Sequence, residues 1–286
     1  MRRSRIFLIS SMVVFGTIGL FVRGIPLPAA EIALYRSLLA IILVGAFMLI
    51  RKKDKAQKQD IRRALPLLFL SGAAMGFNWI LLFEAYRYTT ISSATLAYYF
   101  APLLVTLLSL FLFKEKMGVR RWICFAASTI GVVLITGTGG EGSSTLGVLL
   151  GLGAACLYAA VVLINKYIGY IDSIKRTFLQ FCAAAIVLLP YVAFSSGFNL
   201  EILNLNSTLL LLTVGLVHTG VTYCLYFSSL KNLPGQEVAV MSYIDPLVAV
   251  IASVAILREP ISLTEIIGGV LILGAAIFNE INFKRK

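Results

Sequence analysis

The stretch Tyr99-x-x-Pro102-Leu103, continuing through Ser109 to Lys114-Glu115, decides how this chain is read, because it occurs twice. Shifted by 144 residues, the spacing returns as Tyr243-x-x-Pro246-Leu247, Ser253 and Arg258-Glu259. Five identities and one basic-for-basic match at one offset describe two copies of one unit. The chain therefore divides into residues 1–137 and 146–286, with the Gly/Ser-rich segment 138–145 as the linker.

Around this stretch the composition is that of a bilayer protein. Of 286 residues, 59% are hydrophobic and only 13% are charged. The charged share is about half that of a soluble domain, too little for a polar coat. The apolar runs meet or approach the ~20 residues that cross a bilayer as a helix. Ten spans follow, at 6–24, 30–50, 65–86, 91–112, 119–137, 146–167, 175–196, 207–230, 235–257 and 263–281. The expected fold class is an all-α polytopic membrane protein with ten transmembrane helices. The period-2 alternation of a membrane barrel is absent. The apolar run after Met1-Arg2-Arg3-Ser4-Arg5 continues to Val22 without a small-x-small cleavage site, so it reads as the first span, not a signal peptide.

The net charge of +12 could suggest nucleic acid. Here the basic residues sit in tails and short connections, which makes them topology signals and predicts no nucleic-acid partner. With the N-terminus in the cytoplasm, 21 of the 25 Lys and Arg residues fall inside, three (Arg23, Arg87, Arg258) fall outside, and Arg36 lies within a span. The positive-inside rule then puts both termini in the cytoplasm. Each half has five spans, an odd number, so the second half enters the membrane inverted. Inverted repeats suit carriers that alternate access around a midplane site. Weaker matches extend the symmetry: Phe15-Gly16 with Tyr158-Ala159, Arg23 with Lys166, Arg36 with Gln180, and Gly76 with Gly220.

This pattern resembles the EamA family of the drug/metabolite transporter superfamily. The resemblance rests on two five-span halves, a Pro in each fourth span and a basic-Glu pair at its end. The start of the second span (Tyr35-Arg36-Ser37-Leu38-Leu39-Ala40) and Gly268-Gly269 in the last are also similar to the family. The resemblance implies a plasma-membrane carrier, usually an exporter of amino acids or other small metabolites. One departure is that the family often has Gly before the Glu, whereas this chain has Lys114 and Arg258.

Asp245 is the sharpest candidate for chemistry. It lies about ten residues into the ninth span, roughly 15 Å deep, beside the helix-breaking Pro246. A carboxylate at that depth faces a cavity or a partner. Its role is substrate contact or proton coupling, against a neutral Asp bonded to a neighbouring helix. Its repeat counterpart is Ala101. Glu237, two turns earlier, is a gate residue or a charge favouring the helix start. His218, the only histidine, falls in a stripe Gly215, His218, Thr222, Tyr226, Ser229 at three- and four-residue spacing, which on an α-helix faces inward. It is a proton relay or an interhelical bond. Asn78 and Thr222 are repeat partners near midspan and suit a shared pocket. Tyr98, Tyr99, Tyr158, Tyr223, Tyr226 and Tyr243 are at or near midspan, where an interfacial belt does not account for them. The expected substrate-binding set is Asn78, Tyr98, Tyr99, Tyr158, His218, Thr222, Tyr226, Tyr243 and Asp245. Trp79 and Trp122 read as packing and interface residues.

Arg36 needs a partner inside the membrane, and Glu84 and Glu31 are at similar depth. A structural ion pair is expected there, with an outer gate as the rarer reading. Asp245, His218, Glu237, Arg36 and Glu84 are thus the coupling or gating candidates. The cysteines Cys124, Cys156, Cys182 and Cys224 lie inside spans without a CxxC pair and read as free thiols. One histidine predicts no metal site. No Walker A loop, HExxH or GxSxG is present, so neither ATP drive, a cofactor nor an enzyme is expected.

The function this supports is a secondary active transporter, its cavity lined by spans 1, 3, 4, 6, 8 and 9. It would export amino acids or related small metabolites from the cell, with Asp245 as the candidate for proton coupling. An importer or uncoupled facilitator is the alternative. A binding or lipid-handling membrane protein without net transport is the alternative of another class. The oligomeric state is not legible.

Overall fold

The computed structural model describes residues 2–50, 61–113, 118–137, 144–168, 171–230 and 233–280. Lys114-Glu115, most of the basic 51–64 connection, the linker residues 138–143, Lys231 and the basic C-terminal residues lie outside the described residues. Ten helical rods are present among those described. α1 runs Arg2–Gly16 and continues as Ile18–Arg23; α2 is Ala29–Ile50 and α3 Ile61–Tyr88. α4 is Ile91–Tyr98 followed by Ala101–Phe113, and α5 is Val119–Gly137. α6 is Thr145–Tyr167 and α7 Ser173–Ser195. α8 combines Leu205–Leu212, Thr213–Val221 and Thr222–Leu230. α9 is Gly235–Met241 followed by Ile244–Ala255, and α10 is Leu263–Glu280. Nine rods are long and apolar enough to cross a bilayer, and Leu263–Asn279 is apolar but shorter. The ten-span all-α reading therefore holds.

Two boundaries moved by four residues, the first being that of α1, which begins at Arg2 where the span was expected from 6. The third span was expected from 65, yet α3 begins at Ile61 and runs through Pro66. Proline removes the bond to the carbonyl four residues back. That carbonyl belongs to Arg62, which is exposed at the helix end. The 28 residues of α3 span about 42 Å, more than a ~30 Å hydrocarbon core, so one end of the helix projects beyond it.

Packing places the two halves around a common centre. α3 packs on α6 and α7, α2 on α7 and α8, α1 on α8 and α9, and α4 on α6 and α9. α5 and α10 pair with each other at the periphery. That pair depends on two glycines. A Cβ at Gly131 would lie 2.6 Å from the Gly268 carbonyl oxygen, and one at Gly268 would lie 2.6 Å from the Gly131 carbonyl oxygen. Small residues let helix backbones approach in this way where lipid removes the hydrophobic drive for association.

The end of α9 explains the position where the family often has Gly. Arg258 has φ 55, in the left-handed region. The Glu259 amide then turns back to donate to the Ser253 carbonyl at 3.2 Å. This is the conformation Gly adopts without steric cost and other residues do not. Arg258→Gly is expected to stabilise the protein by about 1 kcal/mol, the left-handed penalty less the added chain entropy. A rise in melting temperature in detergent checks it; a fall would mean the Arg258 side chain contributes more than its backbone costs.

Candidate functional site

The centre of the bundle is built from two broken helices. α4 is interrupted at Tyr99-Phe100 and α9 at Ser242-Tyr243, positions related by the repeat. Both breaks close with i→i−3 backbone bonds, Phe100 to Ala97 and Tyr243 to Val240, the tighter 3₁₀ pattern. The cause is local: Pro102 and Pro246 each remove an amide from the next turn. In α9 the affected carbonyl is that of Ser242. It accepts from the Asp245 amide at 3.3 Å, and the Tyr99 hydroxyl lies 3.5 Å from it.

The breaks leave a cavity of about 320 Å³. Six helices were expected to line it, and α1, α3, α4, α6, α8 and α9 all do, joined by α2 through Arg36. The Tyr99 hydroxyl donates to Asp245 Oδ2 at 2.6 Å. The Tyr99 and Tyr243 rings, repeat partners, stand 6.0 Å apart, and Tyr98 lies 5.6 Å from Tyr158. α1 completes this wall by close approach. A Cβ at Gly16 would come 2.5 Å from the Asp245 carbonyl oxygen, so only a residue without a side chain fits.

Among the expected binding residues, Asn78, Tyr98, Tyr99, Tyr158, Tyr226, Tyr243 and Asp245 line the cavity. Asn78 also donates from Nδ2 to the Ala154 carbonyl at 2.6 Å, so it joins α3 to α6 as well. His218 and Thr222 do not line it. His218 Nδ1 donates to the Thr213 carbonyl at 3.3 Å, and its Nε2 lies 3.1 Å from Thr17 Oγ1. Its ring lies 4.6 Å from that of Phe21, tilted by 59°, and braces the break in α1. Thr222 donates to the Val217 carbonyl at 2.7 Å. The stripe does face inward, with Gly215, His218, Thr222 and Ser229 buried, but His218 and Thr222 turn away from the cavity, and Thr213–Val221 is a π-helix. His218, Thr219 and Thr222 all bond to carbonyls five residues back. The wider turn breaks three-and-four spacing, and Tyr223 joins Tyr226 on the cavity face in place of Thr222.

The gating candidates separate. The expected pairing of Arg36 with Glu84 or Glu31 is not made. Glu31 accepts from the Asn199 backbone amide at 2.9 Å and from Asn199 Nδ2 at 2.6 Å. Glu84 pairs with Arg87 at 3.5 Å. Arg36 instead donates from Nε to Thr219 Oγ1 at 3.1 Å. Its guanidinium lies over Trp79 at 4.3 Å and Phe83 at 5.2 Å. The helices turn the two glutamates toward other neighbours. Trp79, read as packing, lines the cavity beneath this arginine. Glu237 makes a bidentate pair with Arg5, at 2.5 and 3.2 Å, joining the starts of α1 and α9. At the opposite ends of the same helices Arg23 is ion-paired with Glu259. Glu259 also accepts from the Ile91 amide at 2.9 Å and from the Ser253 hydroxyl. The four cysteines are free, and no group of three potential metal ligands occurs among the described residues.

Ten apolar helices, seven of them enclosing a broken-helix cavity of aromatic and apolar side chains with a few polar groups, define a multi-pass membrane protein built to hold a small solute. The EamA-like transporter family matches this chain twice, over residues 3–137 and 145–280. The chain belongs to that family and is a membrane transporter, which is not an enzyme class. Its relatives include the uncharacterized transporter YxxF of Bacillus subtilis (strain 168). The two are 32% identical over 250 residues, covering 85% of this chain and 78% of that one. An uncharacterized transporter of Archaeoglobus fulgidus is 27% identical over 281 residues, covering 97% and 96%. One solved structure, described only as "Crystal structure of protein", has the same fold. Its TM-score is 0.62 at 19% identity, over 96% of this chain and 97% of that one.

Proposed function

We propose that this transporter is a secondary carrier in the cell membrane, with both termini cytoplasmic, that exports an amino acid or related small metabolite by alternating access. The halves 1–137 and 146–286 rock about the cavity. Asn78, Tyr98, Tyr99, Tyr158, Tyr226 and Tyr243 hold the solute, and Asp245 couples movement to protons. The observation that carries this reading is the bond from Tyr99 in one half's broken helix to Asp245 in the other's. A discontinuous-helix site at the repeat interface is where alternating-access carriers bind solute and coupling ion. The positive-inside bias supports the orientation.

The test is flux in liposomes containing the purified protein, with amino acids loaded inside or outside and with or without a pH gradient. Concentrative flux that collapses when the gradient is dissipated is expected. Gradient-independent counterflow would convert the reading to an uncoupled facilitator. Binding without flux would convert it to a non-transporting membrane protein.

A further inference from the structure

We propose that Arg36 is the specificity-determining residue of the cavity: it takes the carboxylate of the transported solute, whose cationic group falls to the Asp245 end. This deepens the transport reading above and rests on it. Arg36 and Asp245 are the only charged side chains among the described residues lining the cavity. Arg36 is 4% exposed, and its bond to Thr219 uses Nε alone. Its two terminal nitrogens have no hydrogen-bond partner among the described residues, and no carboxylate neutralises it.

A buried guanidinium without a counter-charge is costly, and proteins pair such groups. The carboxylates that could have served are held elsewhere: Glu31 by Asn199, Glu84 by Arg87 and Glu259 by Arg23. The missing partner must then come from the solute. The two free terminal nitrogens form the fork that fits a planar carboxylate with two parallel bonds. Trp79 and Phe83 hold the guanidinium face, so the fork is fixed before the solute arrives. Asp245 supplies the opposite charge, and the tyrosine rings beside it, Tyr99 and Tyr243 among them, favour a cation. A zwitterion neutralises both ends of the cavity. A phosphate dianion would leave one negative charge uncompensated, since a single arginine lines the space. About 320 Å³ is at the small end of ligand pockets, which suits one compact solute.

The test uses Trp79 as reporter, because it stacks on Arg36. With Trp122→Phe as background, Trp79 is the only tryptophan. Its fluorescence is titrated with each of the twenty amino acids, with their α-amides, with the matching amines and with sodium phosphate. At least one amino acid is expected to bind while its amide does not. Arg36→Gln should weaken that amino acid about ten- to hundredfold, the loss expected for charge-assisted bonds, and remove its advantage over the amide. Arg36→Lys, which keeps the charge but not the fork, should recover part of the affinity. Thr219→Ala, which loosens Arg36 without removing its fork, should keep the preference for the acid. Melting curves confirm that each variant is folded. Equal binding of acid and amide, a response to phosphate alone, or no response to any acid overturns the proposal. Flux of acid and amide at equal rates would sink Arg36 as selector and leave the transport reading intact. Acid-selective binding without flux would do the reverse.

Discussion

Asp245→Asn is expected to abolish the dependence of transport on a pH gradient and to cut concentrative flux by about ten- to hundredfold. The side chain keeps its size, and an amide oxygen can still accept from Tyr99, so the geometry of the α9 break survives. What is lost is the charge and the capacity to take up and release a proton. A hydrogen bond to a charged group is worth about 1.5–3 kcal/mol, and each 1.4 kcal/mol is a factor of ten. Tyr99→Phe removes the donor of the 2.6 Å bond and is expected to lower flux while leaving proton dependence in place. The double variant should be as insensitive to the gradient as Asp245→Asn alone, and Tyr99→Phe should cost it less flux than it costs the parent, because the bond it removes is no longer to a charged group. The measurement is flux into liposomes at fixed gradients for all four proteins. Proton-driven flux at the unmodified rate in Asp245→Asn would remove Asp245 from coupling. Non-concentrative exchange surviving in the same variant is expected, since the cavity and its tyrosines remain.

The residues readable from the sequence were those whose cause is local or periodic. The doubled stretch marked the duplication, and Pro246 marked the break in α9, because proline acts within one turn; the matching break at Pro102 was not drawn from it. Asp245 stood out because a carboxylate far from either span end has a large desolvation cost. His218 and Thr222 are buried as their spacing predicts but miss the cavity, because spacing arguments assume 3.6 residues per turn and a π stretch has no compositional mark. Arg36 was given the wrong neighbours. Depth follows from counting along a helix, whereas azimuth follows from how helices pack. The Arg5–Glu237 contact joins residues 232 positions apart, and nothing local announces it. One missed feature was legible: Ser262-x-x-Glu265 has the spacing of a capping box. In the structure Glu265 accepts from the Ser262 amide at 2.7 Å, while the Glu265 amide donates to Ser262 Oγ at 3.2 Å. Glu265 also takes the Ser93 hydroxyl at 2.5 Å, tying α10 to α4.

Glu259→Ala should have the second-largest effect, on the balance between conformations rather than on the solute. Glu259 gathers three donors from three helices: the Arg23 guanidinium at the end of α1, the Ile91 amide at the start of α4, and Ser253 in α9. The Ile91 amide is an unpaired helix-start donor, a position that favours a carboxylate. Removing the acid leaves that amide and Arg23 without their acceptor. A fully buried pair would lose about 3–5 kcal/mol; the Arg23 side chain is 36% exposed, so water recovers part and about 2 kcal/mol remains. That is roughly a thirtyfold shift toward conformations in which α1 and α9 separate at this end. The readout is labelling of Ala249→Cys, a cavity-lining position in α9, in a background whose native cysteines are replaced. A membrane-impermeant maleimide applied on the Arg23–Glu259 side should react faster with Glu259→Ala than with the parent. Glu259→Gln can still accept from Ile91 and Ser253 and should give an intermediate rate. Arg23→Gln should reproduce the faster labelling, because it breaks the same pair from the other side. If both Glu259→Ala and Arg23→Gln lower the melting temperature but label at the parental rate, the pair only holds the fold and does not bias access. If labelling accelerates equally from the opposite face, the helices have loosened as a whole rather than parted at one end.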